Sequence, residues 1–152
     1  MTEGALKYPT FNIRIKNENG KILVFDEVRK KWFILTPEEW VRQHLINFLI
    51  TVKNYPLSLI SVEKEIELNG TKKRYDVVVY NPQLKPILLV ECKAPDIKIT
   101  EATLEQTLRY NLILGVKYLL VSNGLVDFAI KVEGQKSIIL KELPYFEEIS
   151  KS

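Results

Sequence analysis

Glu91 and Lys93 stand two residues apart at the polar end of an otherwise apolar run, PILLVECK at residues 86–93, and Asp76 lies inside a second run, RYDVVVY at residues 74–80. Side chains two apart on a strand share a face, so Leu89, Glu91 and Lys93 project together while Val90 and Cys92 project oppositely. A charge inside an apolar strand needs a cation or a strong hydrogen-bond partner, and on a neighbouring strand Asp76 would converge with the other two. Two carboxylates can hold Mg²⁺, with Mn²⁺ as a substitute, and such an ion lowers the pKa of an attacking water and offsets charge on a phosphate. Lys93 can orient that water or stabilise the transition state. The backbone carbonyl of Cys92 is a candidate third oxygen ligand, its thiol facing away. The competing reading is a salt-bridge cluster of Asp76, Glu91 and Lys93 without chemistry.

Further candidates lie on the predicted helices. Gln106 and Tyr110, four apart within a helix over residues 100–114, share a face and can touch one substrate phosphate; a surface amide beside a half-buried tyrosine is the alternative. Thr36-Pro37-Glu38-Glu39 announces a helix start, with Glu39 the expected capping-box partner of Thr36. Glu38, two turns before Leu45, falls on the core stripe and is directed toward the metal region, or else it answers the helix dipole or pairs with Arg42. His44 has no partner that the sequence identifies. The runs Thr71-Lys72-Lys73-Arg74 and Arg29-Lys30-Lys31 can contact a nucleic-acid backbone or simply be solvated.

The elements that position these groups follow from periodicity. Residues 11–16, 21–28 and 31–35 read as an antiparallel meander, its first two strands joined through Asn17-Glu18-Asn19-Gly20. The helix from Thr36 runs to about residue 53, its stripe formed by Val41, Leu45, Phe48, Leu49 and Val52. Residues 60–68 and 74–80 form a hairpin with its tip at Asn69-Gly70, and residues 86–93 read as a strand covered on both faces. Helix 100–114 then leads to a buried strand in VKYLLVSN, which predicts parallel pairing with 86–93. DFAIKV and SIILKEL complete the strands. The fold class expected is α/β (α+β), one domain over 1–152 with a core at about 36–132, a mixed sheet flanked by helices.

The chain has 152 residues, one cysteine and one histidine, which excludes an internal disulfide and a zinc site of nitrogen and sulfur ligands. Any catalytic metal is therefore bound by oxygen. A net charge of +3 permits nucleic-acid binding without demanding it. No secretion signal, membrane span or triphosphate-cradling loop is readable, so a cytoplasmic protein without membrane contact and without ATP chemistry of its own is expected.

In TPEEWVRQ (36–43), RYD (74–76), VECKAP (90–95) and LEQTLRYN (104–111), the chain resembles the PD-(D/E)xK nuclease superfamily, and more narrowly the N-terminal nuclease domain of type I restriction-enzyme R subunits. The likeness spans roughly residues 11–132, with Tyr75 standing where the superfamily's name has proline. It implies a restriction-endonuclease-like core, Asp76 and Glu91 as metal ligands, Lys93 as the catalytic lysine, and Gln106 with Tyr110 as a Q-x-x-x-Y motif for DNA handling. Glu38 or Glu39 would match a helix glutamate that assists the metal. An R subunit carries an ATP-driven motor after this domain, so the chain is expected to be a stand-alone relative or an excised domain. The expected function is a Mg²⁺-dependent DNA endonuclease, with DNA, a separate motor or restriction-system subunit, and a second copy of the chain as partners. The alternative is a non-catalytic module of the same fold that binds nucleic acid or a partner.

Overall fold

A computed structural model describes residues 6–68 and 70–151. Among them the elements run β1 (Ile15–Glu18), β2 (Lys21–Asp26), β3 (Lys31–Ile34), α1 (Pro37–Thr51), β4 (Ile60–Leu68), β5 (Thr71–Tyr80), β6 (Pro86–Cys92), α2 (Glu101–Leu114), β7 (Tyr118–Ser122), β8 (Asp127–Glu133), β9 (Lys136–Leu140) and α3 (Phe146–Ile149). β1, β2 and β3 form an antiparallel meander, and β4 to β9 form a mixed sheet in chain order. Only β6 and β7, joined by the α2 crossover, pair in parallel within that sheet, as the strand–helix–strand order predicted.

Strand parity divides the sheet's burial between two helices. Val77, Val79, Leu88, Val90 and Cys92 face α1, where they meet Val41, Leu45, Ile46 and Leu49. Val78, Leu89 and Leu119 face the other way, onto Leu104, Leu108 and Leu114 of α2. Each fully buried aliphatic side chain contributes roughly 1.5–3 kcal/mol through removal from water, so the two faces together hold the strands in register. The first cluster also takes in Tyr8, Leu143 and Ile149, outside the 36–132 interval. Among the described residues no helix is long and apolar enough to cross a membrane.

Several boundaries differ from expectation for local reasons. The β1–β2 turn tightens to Asn19 (φ 53) and Gly20 (φ 80), a two-residue turn whose twist suits a hairpin, so Asn17 and Glu18 join the ladder and β1 begins at Ile15 rather than residue 11. Asn69 of the second predicted tip lies outside the described residues; Gly70 follows with φ 77, and β5 extends back to Thr71. α1 ends at Thr51, leaving Val52 exposed rather than on the stripe, because Asn54 turns left-handed before Tyr55-Pro56. α2 is capped by Thr100 at one end and by left-handed Gly115 at the other.

The capping box expected at α1 is only half formed. Thr36 Oγ1 accepts from the Glu39 N–H at 3.0 Å, but the Glu39 side chain turns inward instead of back to the cap. The stripe assignment of Glu38 is likewise corrected: Glu38 is exposed and Glu39 is buried. α1 buries a second face, Glu39, Arg42, Gln43 and Ile46, which apolar spacing does not reveal because three of the four residues are polar. The α1-side core makes a direct prediction. Leu88→Ala, which empties a fully buried site on β6, lowers unfolding free energy by about 2–5 kcal/mol in urea titrations.

Candidate active site

The β5–β6 ladder stops at Val77 opposite Val90, and one residue further the Asp76 carboxylate replaces the backbone partner. Asp76 Oδ2 accepts the Cys92 N–H at 2.8 Å, and Oδ1 accepts from Arg42 Nη2 at 3.1 Å. β6 meanwhile stays paired with β7 through Cys92 opposite Ser122, and Lys93 N donates to the Ser122 carbonyl at 2.8 Å. Glu91 and Lys93 are therefore held by β7 where β5 has peeled away. A strand residue directs its N–H and C=O to the same side, so the Cys92 carbonyl points toward the Asp76 edge. The Cys92 thiol lies in the α1-side core, where burial pushes its pKa well up, leaving only its backbone for chemistry.

Glu91 and Lys93 share a face as strand parity requires, with Lys93 Nζ 3.8 Å from Glu91 Oε1. Burial, reinforced by the charge of Asp76 and opposed by Lys93, pushes the Glu91 carboxyl up to about 7. Asp76, Glu91 and Lys93 thus converge at one place, and its electrostatics disfavour a second negative charge without another cation. Glu38 also belongs to this field: although exposed by area, its carboxyl is partly desolvated at the rim, which with the Asp76 charge raises its pKa, and it lies 3.6 Å from Arg42 Nη2.

Arg42 organises the other side of Asp76. Its side chain is 4% exposed, and its guanidinium reaches Glu39 at 2.6 Å, Asp76 at 3.1 Å and Glu63 at 3.4 Å. Burial alone would disfavour the Arg42 charge, and the neighbouring Glu39 and Asp76 carboxylates outweigh it. Glu39 continues the network to Arg29 and Gln43, and both of these bind the buried Asp26 carboxylate of β2. Burial pushes Asp26 up, but the Arg29 backbone N–H, the Arg29 guanidinium and Gln43 together hold it below the ordinary carboxylate range. Glu63, opposite Asp76 across the β4–β5 pair, has φ 52, an uncommon backbone state for a non-glycine residue. Sequence reasoning paired Arg42 only with Glu38 and missed Glu63 and Gln43. The Glu39, Arg42, Gln43 spacing on one helix face was the available signal, whereas nothing local marks Glu63.

Gln106 and Tyr110 meet each other, Gln106 Nε2 donating to Tyr110 Oη at 3.0 Å, and Lys73 of β5 lies 3.9 Å over the Tyr110 ring. Among the described residues no hydrogen bond or ion pair joins them to Asp76, Glu91 or Lys93. Lys73 precedes Asp76 by three residues on β5, so the backbone positions from which the two side chains start are about 10 Å apart. His44 is buried, with Nδ1 on the Trp40 carbonyl and its ring against Trp40, a packed position without catalytic partners.

A divalent cation can be judged against this donor set. Asp76, Glu91 and the Cys92 carbonyl are hard oxygen donors, and Mg²⁺ is commonly held by one or two carboxylates while keeping several waters. Among the described residues no group of three or more histidine, cysteine, aspartate or glutamate side chains is assembled to hold a metal, which disfavours a closed protein cage. The residues fit Mg²⁺ or Mn²⁺ with an incomplete protein shell.

Residues 37–144 match the family model described as Type I restriction enzyme R protein N terminus. No curated protein matches the chain. Among solved structures, the fragment of a provisionally assigned HsdR subunit of a type I restriction enzyme from Vibrio vulnificus YJ016 superimposes with a TM-score of 0.59 at 18% identity over 77% of this chain. The chain spans 25% of that fragment's length, and the likeness is one of fold. A provisionally assigned nuclease of the DUF820 group from Anabaena variabilis ATCC 29413 aligns at 12% identity with a TM-score of 0.49, covering 96% of this chain and 89% of that one.

Two measurements follow from the charges. Arg42→Met strands the buried Glu39 and half-buried Asp76 carboxylates and costs about 3–5 kcal/mol in chemical denaturation, with Arg42→Lys costing less. For Glu91, the folded carboxyl near 7 binds more protons than an unfolded one of ordinary pKa between about 4.5 and 7, so stability falls as pH rises through that window. Glu91→Gln in EDTA therefore raises Tm at pH 8, by roughly 2–4 °C for each 1 kcal/mol relieved, and the gain disappears near pH 4.

Proposed function

The chain belongs to the family of type I restriction enzyme R protein N-termini, and on that footing we propose that it is a metal-dependent DNA endonuclease domain acting at Asp76, Glu91 and Lys93. The observation that carries the reading is the convergence of two carboxylates and a lysine where β5 leaves β6, with Glu91 held up to about 7 by burial and by Asp76. Strained or perturbed acids in such a position are what a cation-binding active site needs.

Asp76 and Glu91, with the Cys92 carbonyl, would hold Mg²⁺ or Mn²⁺, and Glu38, at the rim beside Arg42, would assist. Such an ion, when bound, would supply an acidified water and offset phosphate charge. Glu91, with its carboxyl raised to about 7, would have to release its proton to solvent to serve as a ligand. Lys93, tethered beside Glu91, presents its ammonium to the water or to the phosphate oxygen on which charge develops. Arg42 and the Cys92 N–H fix the Asp76 carboxylate, so the ligand does not have to reorient on binding. Gln106, Tyr110 and Lys73 offer an amide, a hydroxyl and an ammonium to a neighbouring stretch of the same DNA backbone. A separate motor or another restriction-system subunit, and a second copy of the chain for the opposite strand, are the partners this reading assigns.

A second reading is favoured by one observation: both oxygens of Asp76 already have protein donors. In that case the site is a closed polar cluster, and the domain binds nucleic acid or a partner without turnover. Supercoiled plasmid with Mg²⁺ or Mn²⁺ separates the two. Under the endonuclease reading wild type nicks or linearises plasmid, EDTA stops it, and Asp76→Ala, Glu91→Ala and Lys93→Ala each reduce the rate by about 100-fold or more. Equal cutting by wild type and all three variants, or salt-sensitive binding with no cutting in either metal, rejects it.

A further inference from the structure

We propose that the outer face of the β1–β2–β3 meander is a binding platform for single-stranded DNA, with Arg14 and Lys16 taking phosphates and Phe25 and Trp32 taking bases. The inference deepens the endonuclease reading and rests on it only for the choice of DNA. The meander precedes residues 37–144, so the family match does not cover it.

Register places six side chains on that face. Phe25 N donates to the Arg14 carbonyl, Phe25 pairs with Trp32, Lys16 pairs with Leu23, and Leu23 pairs with Ile34. Val24 and Asp26, alternate to these on β2, are fully buried on the inner face. None of the six outer residues is buried, and Ile34 is 57% exposed. Arg14 lies 3.9 Å over the Phe25 ring, Lys16 lies 4.4 Å from the Trp32 ring centre, and the two rings meet edge to face at 5.2 Å.

Cations interleaved with aromatic rings on an open sheet are the combination that holds single strands, bases stacking on rings while the backbone follows the charge. Residues 14–34 contain Arg14, Lys16, Lys21, Arg29, Lys30 and Lys31 against Glu18, Asp26 and Glu27, six minus three, or +3, equal to the net charge of the whole chain. Arg14 now pairs with Glu27 at 3.2 Å and Lys16 with Glu18 at 2.9 Å. Such exposed pairs are weak, and phosphates can replace them. A duplex keeps its base faces stacked inside, so the rings and Ile34 favour an unpaired strand. A protein-docking face would be depleted of lysine at its centre, where Lys16 sits against Trp32. The platform is also fixed relative to the candidate active site, because Asp26, Arg29, Glu39, Arg42 and Asp76 link β2 to β5 through α1.

Oligo(dT) titrated in EDTA into the full chain carrying Trp40→Phe tests the platform, since Trp32 is then the only tryptophan. Binding quenches Trp32 fluorescence. Trp32→Leu, followed by anisotropy of labelled oligo(dT), weakens binding roughly 5- to 150-fold. Arg14→Gln with Lys16→Gln alters only exposed ends and lowers the slope of log affinity against log salt by about 1.4. Wild-type affinity and salt slope in these variants, absence of oligo(dT) binding, or equally tight binding of a duplex of the same length overturns the inference. Plasmid cutting in Mg²⁺ is read separately. Cutting without this oligonucleotide binding removes the platform alone, and platform binding without cutting removes the endonuclease reading alone.

Discussion

Arg42 meets the Asp76, Glu63 and Glu39 carboxylates, which belong to two strands of the large sheet and to its own helix, and it does so almost wholly out of water. A cation in that position makes it possible for several acids to be packed close together at the end of an apolar sheet. Taking the guanidinium from water is costly, and only multiple well-placed acceptors offset the loss. Among the described residues those acceptors leave Arg42 Nε without a partner, a residual cost at the centre of the network. Asp76 is the acid that matters most here, because its other oxygen anchors the Cys92 N–H. Arg42 and Cys92 between them set the carboxylate's position.

The same network explains why a three-stranded meander can sit firmly on the rest of the chain. An isolated meander has little apolar surface to bury, and β1 to β3 leave much of one face open to solvent. Asp26, buried in β2, draws in Arg29 and Gln43, and Arg29 reaches on to Glu39 and Glu63. Attachment therefore runs through the buried Val24 and the packing of Val28 on the core as well as through charge and hydrogen bonding. Such contacts depend on direction, so the orientation of the meander on α1 is specified more sharply than apolar packing alone would achieve.

Chemistry at the β5–β6 junction depends on a ladder that stops. If Asp76 and Glu91 were ordinary cross-strand partners, their like charges would oppose each other across a paired sheet. The ladder ends at Val77, the Asp76 side chain takes the next N–H, and β7 keeps Glu91 and Lys93 in place. The irregular backbone of Glu63 lies on the opposite side of the same residue. One departure from sheet regularity thus lies beside the residue where a charge must be presented, a common location for stored strain.

Period-two and helical patterning was enough to read the strands from residue 60 to residue 140, both long helices, the parallel crossover, and the shared face of Glu91 and Lys93, because those features depend only on which way successive side chains point. The Asp76, Glu91 and Lys93 group was legible for the same reason, as charges standing inside or ending apolar runs. Apolar periodicity could not show that α1 buries a polar face as well, so Glu38 and Glu39 exchanged places between expectation and structure. Nor could it show Glu63, whose turn toward Arg42 is a backbone event far from it in sequence. Composition and spacing by themselves determined the layers of the fold and the candidate acids. The tertiary structure alone decided which cation neutralises them, since a buried ion pair is chosen by which side chains meet in space, and residues 34 apart in the chain leave no local trace of meeting.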